Sequence, residues 1–365
     1  MCYNPMLAER LPVVNAESGK SGYRFLRSVK SWLRDHPESE EEIRQSGGLW
    51  IDSYKDDVGA VPTEPYANRY DGEYIGWRYK KKLVILPCGQ CLDCRCRYAQ
   101  EWANRIMLEA QYHDESYFIT LTYDEEHVPV ALDKSGEPVY TLQPKDLQDF
   151  IKRLRSDQEY HKDNRIRFYA VGEYGSTTHR PHYHIIVFGL KIDDLELIGK
   201  NRHGTLLHDS KKIREIWGLG LTEVDQMSWE SAAYCARYTV KKLGKKETSF
   251  YEDHNLVPEF SRMSLKPAIG YQYFDEYKED IYKNDEIFIS TVKGGRKCKP
   301  PKYYDDKYDD IYPADMAVVK GNRREIAENS QIARLSKFGG SYLELLYLNE
   351  EKMKHRNAKL RRNLE

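Results

Sequence analysis

The chain has 365 residues, 40% hydrophobic and 32% charged, the balance of a folded globular protein rather than a disordered one. No apolar run approaches the roughly 20 residues needed to span a bilayer. Residues 1–11 also lack the basic-then-apolar pattern of a secretory signal, so a cytoplasmic location is expected. The net charge of −1 excludes a general polycation, and any nucleic-acid binding must rest on local basic clusters such as Arg78, Lys80, Lys81 and Lys82, or Lys293, Arg296, Lys297, Lys299 and Lys302. Taken alone, such runs usually mark a solvated face.

Residues 1–83 are mixed and weakly periodic, with loop signals at Gly47–Gly48 and Pro62–Pro65. Trp77–Leu86 reads as a strand leading into a cysteine cluster, and Gln100–Tyr112 as a helix with Trp102, Ile106 and Ala110 on one face. Tyr117–Tyr123 is rich in β-branched and aromatic residues and predicts a strand. Pro144 opens a helix whose Leu147, Phe150, Ile151 and Leu154 share one face. Arg165–Glu173 and Pro181–Leu190 predict two more strands, joined by a loop containing Gly175. Asp209 or Ser210 caps a helix carrying Ile213, Ile216 and Trp217, and Gly218 ends it. A short strand, Leu221–Met227, and a helix from Ser228 to Leu243 complete the pattern, while Glu325–Glu365 reads as a charged, mostly helical tail.

The resulting order, β-α-β-β-α-β-α, begins as a split βαβ unit. The expected fold class is therefore α+β: an antiparallel sheet backed by helices on one face, with the other face left free for a site. The expected division is an N-terminal extension over 1–83, a central domain over 84–250 and a C-terminal region over 251–365.

The third of these central strands carries His182-Tyr183-His184. Residues two apart in a strand point to the same face, so the two imidazoles project together. Such a pair arises readily by chance in a chain with 11 histidines, and its bland reading is two hydrogen-bonded surface residues. The neighbouring strand ends in Glu173. If the two strands form a hairpin, Glu173 stands opposite or diagonal to one histidine, with Cβ atoms about 5 Å apart when directly opposed. Two imidazoles and a carboxylate suit Mg²⁺ or Mn²⁺ with positions open for phosphate oxygens; ligand type alone does not exclude Zn²⁺.

On the last helix, Tyr234 and Tyr238 are four residues apart and share a face, which Lys241 joins three residues further on. A phenol has a free pKa of about 10, so a nearby cation would favour the phenolate needed to attack a phosphodiester. With 29 tyrosines in the chain, ordinary amphipathic packing is the competing explanation. Which lysine faces the site, Lys241 or Lys242, is left open by the spacing.

Cys88, Cys91, Cys94 and Cys96 are crowded into nine residues and are candidate structural zinc ligands. Zinc sites usually draw a ligand from a distance, and Cys2 or Cys298 can supply it. The alternative is a set of reduced thiols at a helix start.

Phe118-Ile119-Thr120-Leu121-Thr122, Gly172-Glu173-Tyr174-Gly175, Arg180-Pro181-His182-Tyr183-His184 and Tyr234–Lys241 stand in the order and kind found in HUH endonucleases. The chain resembles in particular the rolling-circle replication initiators of small single-stranded-DNA bacteriophages, the microviruses of gokushovirus type. Pro87-Cys88-Gly89-Gln90-Cys91, Trp102 and Pro301-Lys302-Tyr303-Tyr304 carry the same likeness, which covers residues 87–243 well and the rest thinly.

The resemblance implies an HUH nuclease domain in which His182, His184 and Glu173 bind the divalent metal. Tyr234 or Tyr238 attacks origin DNA to leave a 5′-phosphotyrosine and a free 3′-OH, and Lys241 contacts the phosphate or the tyrosines. It further implies a host DNA polymerase that extends the 3′ end, religation by the second tyrosine, and action in the cytoplasm of a bacterial host without a membrane partner. The chain has no G-x-x-x-x-G-K-[ST] segment, so unwinding is expected to fall to a host helicase. The alternatives are a relaxase- or transposase-type HUH nuclease, and a noncatalytic zinc-containing nucleic-acid-binding protein.

Overall fold

A computed structural model describes residues 2–15, 20–54, 72–75, 78–158, 165–175, 178–200, 206–238, 250–291 and 294–362. The chain forms two compact units. One joins Met1–Arg95 to Tyr303–Glu365, and the other is Cys96–Lys302. These boundaries cut across the division into 1–83, 84–250 and 251–365 read from the sequence.

In the first unit, β1 (Met6–Asn15), β2 (Lys20–Ser28), β3 (Trp50–Tyr54), β4 (Gly72–Ile75) and β5 (Arg78–Leu86) form an antiparallel sheet of order β2-β1-β5-β3, with β4 also on β5. The helices α1 (Val29–Asp35) and α2 (Ser39–Gln45) lie between β2 and β3 in the chain. Two helices from the far end of the sequence, Pro313–Phe338 and Tyr342–Arg362, complete the same core. There Leu7, Trp32, Ile43, Ile51 and Leu83 pack with Leu335, Tyr342, Leu345 and Leu346, all buried. Neither terminal segment can bury its apolar face alone, which is why they fold as one body. Lys30 Nζ reaches Glu350 at 2.6 Å and Arg44 reaches the Gly340 carbonyl at 2.5 Å within this unit.

Helix α3 (Leu92–Ala110) begins in the sequence span of the first unit and continues into that of the second. The second unit then contains β6 (Ser116–Tyr123), a small hairpin of β7 (Val130–Leu132) and β8 (Pro138–Tyr140), α4 (Pro144–Asp157), β9 (Arg167–Tyr174), β10 (Pro181–Phe188), β11 (Leu195–Lys200), β12 (Leu206–Ser210), α5 (Lys211–Trp217), β13 (Gly220–Gln226), α6 (Trp229–Tyr238), β14 (Phe260–Met263) and α7 (Tyr271–Asn284). A hairpin of β15 (Ile287–Thr291) and β16 (Gly294–Cys298) follows and takes in Arg296 and Lys297 of the second basic run. The main sheet has the order β11-β12-β13-β6-β10-β9-β14 with every pairing antiparallel. β6 and β9 therefore run parallel with β10 between them, the split βαβ arrangement.

The local reasons are those legible in the sequence. Pro144 sits in the first turn of α4, whose Leu147, Phe150, Ile151 and Leu154 are buried. Ser210 accepts a hydrogen bond from the Ile213 amide at 3.1 Å, and Gly218, at φ 65°, closes α5 in the left-handed conformation. Tyr183, between the two histidines, points to the opposite face and is fully buried. Its hydroxyl lies 2.8 Å from that of Tyr123 and donates to the Gln143 carbonyl at 2.8 Å, tying the sheet to the start of α4.

One expectation is corrected. The face opposite α4 and α5 is not wholly free: α3 and α6 pack on it, with Ala103, Ile106, Ala232 and Cys235 against Tyr169, Val171, Ile186 and Phe188. Alternate residues of β9 and β10 are apolar on both faces over much of their length, so both faces take helices. The polar residues His182, His184 and Glu173 fall toward one end of the helix-covered face.

Candidate metal and tyrosine site

β9 and β10 pair with His182 directly opposite Glu173 and His184 opposite Val171. That register brings three potential ligand atoms together, each within 4.8 Å of the others. His182 Nε2 lies 2.8 Å and His184 Nε2 2.9 Å from the same oxygen, Glu173 Oε1. Glu173 and His184 are buried, and His182 is the most open of the three. The second oxygen, Glu173 Oε2, is buried without a hydrogen-bond partner.

Helix α6 crosses this face and delivers Tyr234. Its hydroxyl donates to Glu173 Oε1 at 3.0 Å and lies 3.5 Å from His184 Nε2. Ser228, as the sequence indicates, helps start the helix by accepting from the Ser231 amide at 3.2 Å. Tyr238 is the last residue of α6. Lys241 and Lys242 lie outside the described residues.

Neighbouring groups fix the ring of His184. Thr120 Oγ1 stands 3.1 Å from Nδ1, and Phe118 stacks on the imidazole at a centroid distance of 5.4 Å and 6° between planes. Phe118 also meets Tyr234 edge-on at 6.2 Å, and the Arg237 guanidinium lies 5.5 Å from the Tyr234 ring centroid. The sequence reading gives Phe118 and Arg237 no individual role. The signal is nonetheless there: residues 118, 120 and 122 alternate onto one face of β6, and Arg237 is three residues beyond Tyr234 on a helix. Glu223 and Asp225 share that face from β13, opposite Thr120 and Phe118. Burial, followed by the Glu223 charge, pushes the Asp225 carboxyl up to about 6.

The electrostatics favour a cation. Burial alone would raise the Glu173 carboxyl, but the hydrogen bonds from His182 and His184 outweigh it and hold the group well below the usual carboxylate range. Burial holds His184 below the usual imidazole range despite Glu173, so its lone pair is available at neutral pH. Cys235, next to Tyr234, is fully buried and its thiol is pushed far up by burial. It is a packing residue, not a nucleophile.

The cysteine cluster differs from the sequence reading in one ligand. Cys88, Cys91 and Cys94 converge, but the fourth sulfur is that of Cys2, not Cys96. Three-residue steps into the first turn of α3 keep Cys91 and Cys94 on one side, whereas Cys96 lies about 200° further round the helix. Cys298 stands on β16, away from the quartet.

An antiparallel sheet with two histidines and a glutamate on one face, overlaid by a helix tyrosine, defines a mixed α+β protein with a compact His–Glu–Tyr cluster. A profile of the replication-associated protein ORF2 family matches residues 116–243, the span holding all four of these residues. The chain is 37% identical to replication-associated protein ORF2 of Spiroplasma virus 4 over 293 residues, covering 79% of this chain and 88% of that one. It is 34% identical to replication-associated protein VP4 of Bdellovibrio phage phiMH2K over 265 residues, covering 70% and 79%. A third relative, replication-associated protein ORF4 of Chlamydia phage 1, is 29% identical over 232 residues, covering 60% and 53%. The chain belongs to this family of microvirus-type phage replication-associated proteins. No solved structure matches it. Among the described residues, no helix is long and apolar enough to cross a membrane.

Proposed function

We propose that the protein is an HUH-type replication initiator, a metal-dependent endonuclease that nicks one strand at the origin of a small circular DNA and remains attached through a tyrosine. One observation carries this reading: the Tyr234 hydroxyl and the Nε2 atoms of His182 and His184 all converge on Glu173 Oε1. A nucleophile is thereby held beside a ligand set for a divalent cation. The donor set fits Mg²⁺ or Mn²⁺, with two imidazoles, one ionised carboxylate, and an orphaned buried oxygen at Glu173 Oε2 that a cation would satisfy.

A divalent ion held by His182, His184 and Glu173 supplies Lewis-acid polarisation of the scissile phosphate and stabilises charge on the leaving oxygen. Thr120 and Phe118 keep the His184 ring oriented for that role. Glu173 positions the Tyr234 hydroxyl by accepting its hydrogen bond, and Arg237 places positive charge near the ring. Tyr234 loses its proton and its oxygen attacks phosphorus. The tyrosine O–P bond forms, the P–O3′ bond breaks, and the released 3′ oxygen takes up a proton. Because one phosphoester replaces another, no nucleotide cofactor is required. Tyr238, four residues along α6, is the candidate for the second cut and the religation, with Lys241 as a phosphate contact. A host polymerase extends the 3′ end and a host helicase opens the duplex, in the cytoplasm of a bacterial host.

The test uses the full chain with end-labelled single-stranded origin oligonucleotides, with Mn²⁺ or Mg²⁺ or with chelator, resolved on a denaturing gel. A metal-dependent, protein-sized shift of the label that disappears in the Tyr234→Phe/Tyr238→Phe double variant supports the reading. Retained DNA binding with no adduct on any origin substrate overturns it in favour of a noncatalytic binding protein.

A further inference from the structure

The four sulfurs of Cys2, Cys88, Cys91 and Cys94 lie within 4.8 Å of one another, far from the His–Glu–Tyr cluster in sequence and wholly inside the first unit. Cys2 Sγ is 3.6 Å from Cys88 Sγ and 3.6 Å from Cys91 Sγ. That spacing is well beyond the ~2.05 Å of a disulfide. It is close to the ~3.8 Å edge of a tetrahedron whose centre lies ~2.3 Å from each sulfur, the zinc–thiolate bond length.

The backbone is arranged for the same purpose. β1 and β5 pair with Met6 opposite Leu86, so residue 2 and residues 88–91 emerge at the same end of the strand pair. Gly89 takes φ 72° with open space where a Cβ would be, so the glycine serves the turn itself and not a close approach. This turn aims the Cys91 amide at Cys88 Sγ, 3.2 Å away, and the Cys88 amide lies 3.4 Å from Cys2 Sγ. Amide donation to sulfur stabilises thiolate ligands and orients them. Cys94 follows on the first turn of α3, after Asp93.

We propose that Cys2, Cys88, Cys91 and Cys94 form a closed tetrathiolate zinc site that clasps the start of β1 to the end of β5 and the first turn of α3. Four protein ligands with no open position make the site structural. A single ion is favoured over an iron–sulfur cluster because all four sulfurs fit around one atom, whereas a cluster spreads its thiolates over separate irons. Cys96 is not a ligand. This proposal is independent of the nuclease chemistry.

The full-length protein, dialysed against EDTA at a level that strips weakly held divalent ions, is assayed for metal by plasma mass spectrometry. About one zinc per chain is expected in the wild type and in Cys96→Ser and Cys298→Ser, and at least a tenfold loss of zinc affinity in Cys2→Ser and Cys91→Ser. Cobalt exchanged into the wild type and Cys96→Ser should show the thiolate charge-transfer and tetrahedral ligand-field bands of an all-sulfur site. These spectra keep the proposal testable even if Cys2→Ser fails to fold. A zinc-free wild type with all four thiols freely reactive in the native state overturns it. So does zinc lost from Cys96→Ser but kept in Cys2→Ser, or bound iron with visible cluster absorption.

Discussion

Tyr234 donates its hydroxyl to Glu173 Oε1, and that oxygen is the one facing both histidine Nε2 atoms, at 2.8 and 2.9 Å. The coincidence arises from two independent pieces of geometry. Strand register sets Glu173 across from His182, and the crossing of α6 over the sheet sets Tyr234 above both. A carboxylate this strongly stabilised as an anion is a weak base at neutral pH. Glu173 therefore places the phenol beside the metal ligands without taking its proton.

That placement orders the tyrosines. Tyr234→Phe should abolish the covalent adduct on single-stranded origin DNA, a loss of at least about 100-fold in rate. It should cost only about 1 kcal/mol in stability, because one hydrogen bond is removed while the ring packing stays. Tyr238→Phe should retain the first adduct and lose religation. Single-turnover nicking followed by a strand-joining assay separates the two steps. An adduct that survives Tyr234→Phe and vanishes in Tyr238→Phe would reverse the order.

Thr120 acts through His184. Its hydroxyl at 3.1 Å from Nδ1 accepts the ring proton there and leaves Nε2 as the ligand atom. Thr120→Val keeps the shape and the β-branched fit to β6, so the melting temperature without metal should hardly move. Mn²⁺ affinity should fall about 10-fold or more. Calorimetric titration of Mn²⁺ is the check, with His184→Ala as the variant that loses binding altogether. Equal affinity in Thr120→Val and wild type would show that the hydroxyl does not orient the ring.

Much of this site is legible because its residues obey local periods. His182 and His184 are two apart on a strand, Glu173 ends the preceding strand of a hairpin, and α4 and α5 announce themselves by Pro144, Ser210 and Gly218. What cannot be read locally is what depends on distant chain segments. Leu7 and Leu83 share a core with Leu335 and Leu346, and no short window contains both sides of that contact. β1 is hidden for a second reason: its register against β2 shifts at three places, which breaks the alternation a strand would display. Cys2 joins the sulfur quartet through the pairing of β1 with β5, while the crowding of Cys94 and Cys96 suggests a purely local set. The β11–β12 hairpin extends the sheet with mostly exposed residues, so it lacks the half-buried pattern by which strands are recognised.

Acid should destabilise the chelated protein in two stages. Glu173 has a folded pKa below its ordinary value of 4.5, so its contribution is present above about that pH and is lost as pH falls toward the folded value. His184 is also lowered, from an ordinary value of 6.5. Between the folded and unfolded values the unfolded chain binds the extra proton, so stability again falls as pH drops below 6.5. Both signs agree. Thermal melts in EDTA across pH 8 to 4 should fall first below about 6.5 and again below about 4.5. In His184→Gln the upper step should shrink. A melting temperature flat from pH 7 to 5 in the wild type would contradict the neutral, buried state of His184.

The sheet that carries the site depends on a glycine far from any ligand. Gly220 opens β13 at φ 146°, opposite Tyr123 of β6. A Cβ there would stand 2.3 Å from the Thr122 carbonyl oxygen and 2.5 Å from the Asp124 amide nitrogen. Both are backbone atoms with other commitments. The Thr122 oxygen accepts from Trp217 Nε1 at 3.1 Å, and the Asp124 amide donates to the Leu219 carbonyl at 3.1 Å. Neither strand can yield without breaking a hydrogen bond that closes the α5–β13 connection onto β6. Gly220→Ala should thus combine backbone strain with overpacking and cost about 2–5 kcal/mol. Gly136 is the control: it also has positive φ, 86°, but nothing within 4 Å of its would-be Cβ. Gly136→Ala should cost only about 1 kcal/mol. Urea melts of the two variants decide the matter. Equal losses would mean that the close approach of β13 to β6 is not what holds this edge, whereas a clear excess at Gly220 would tie the placement of Glu223 and Asp225 beside Thr120 to the one residue without a side chain.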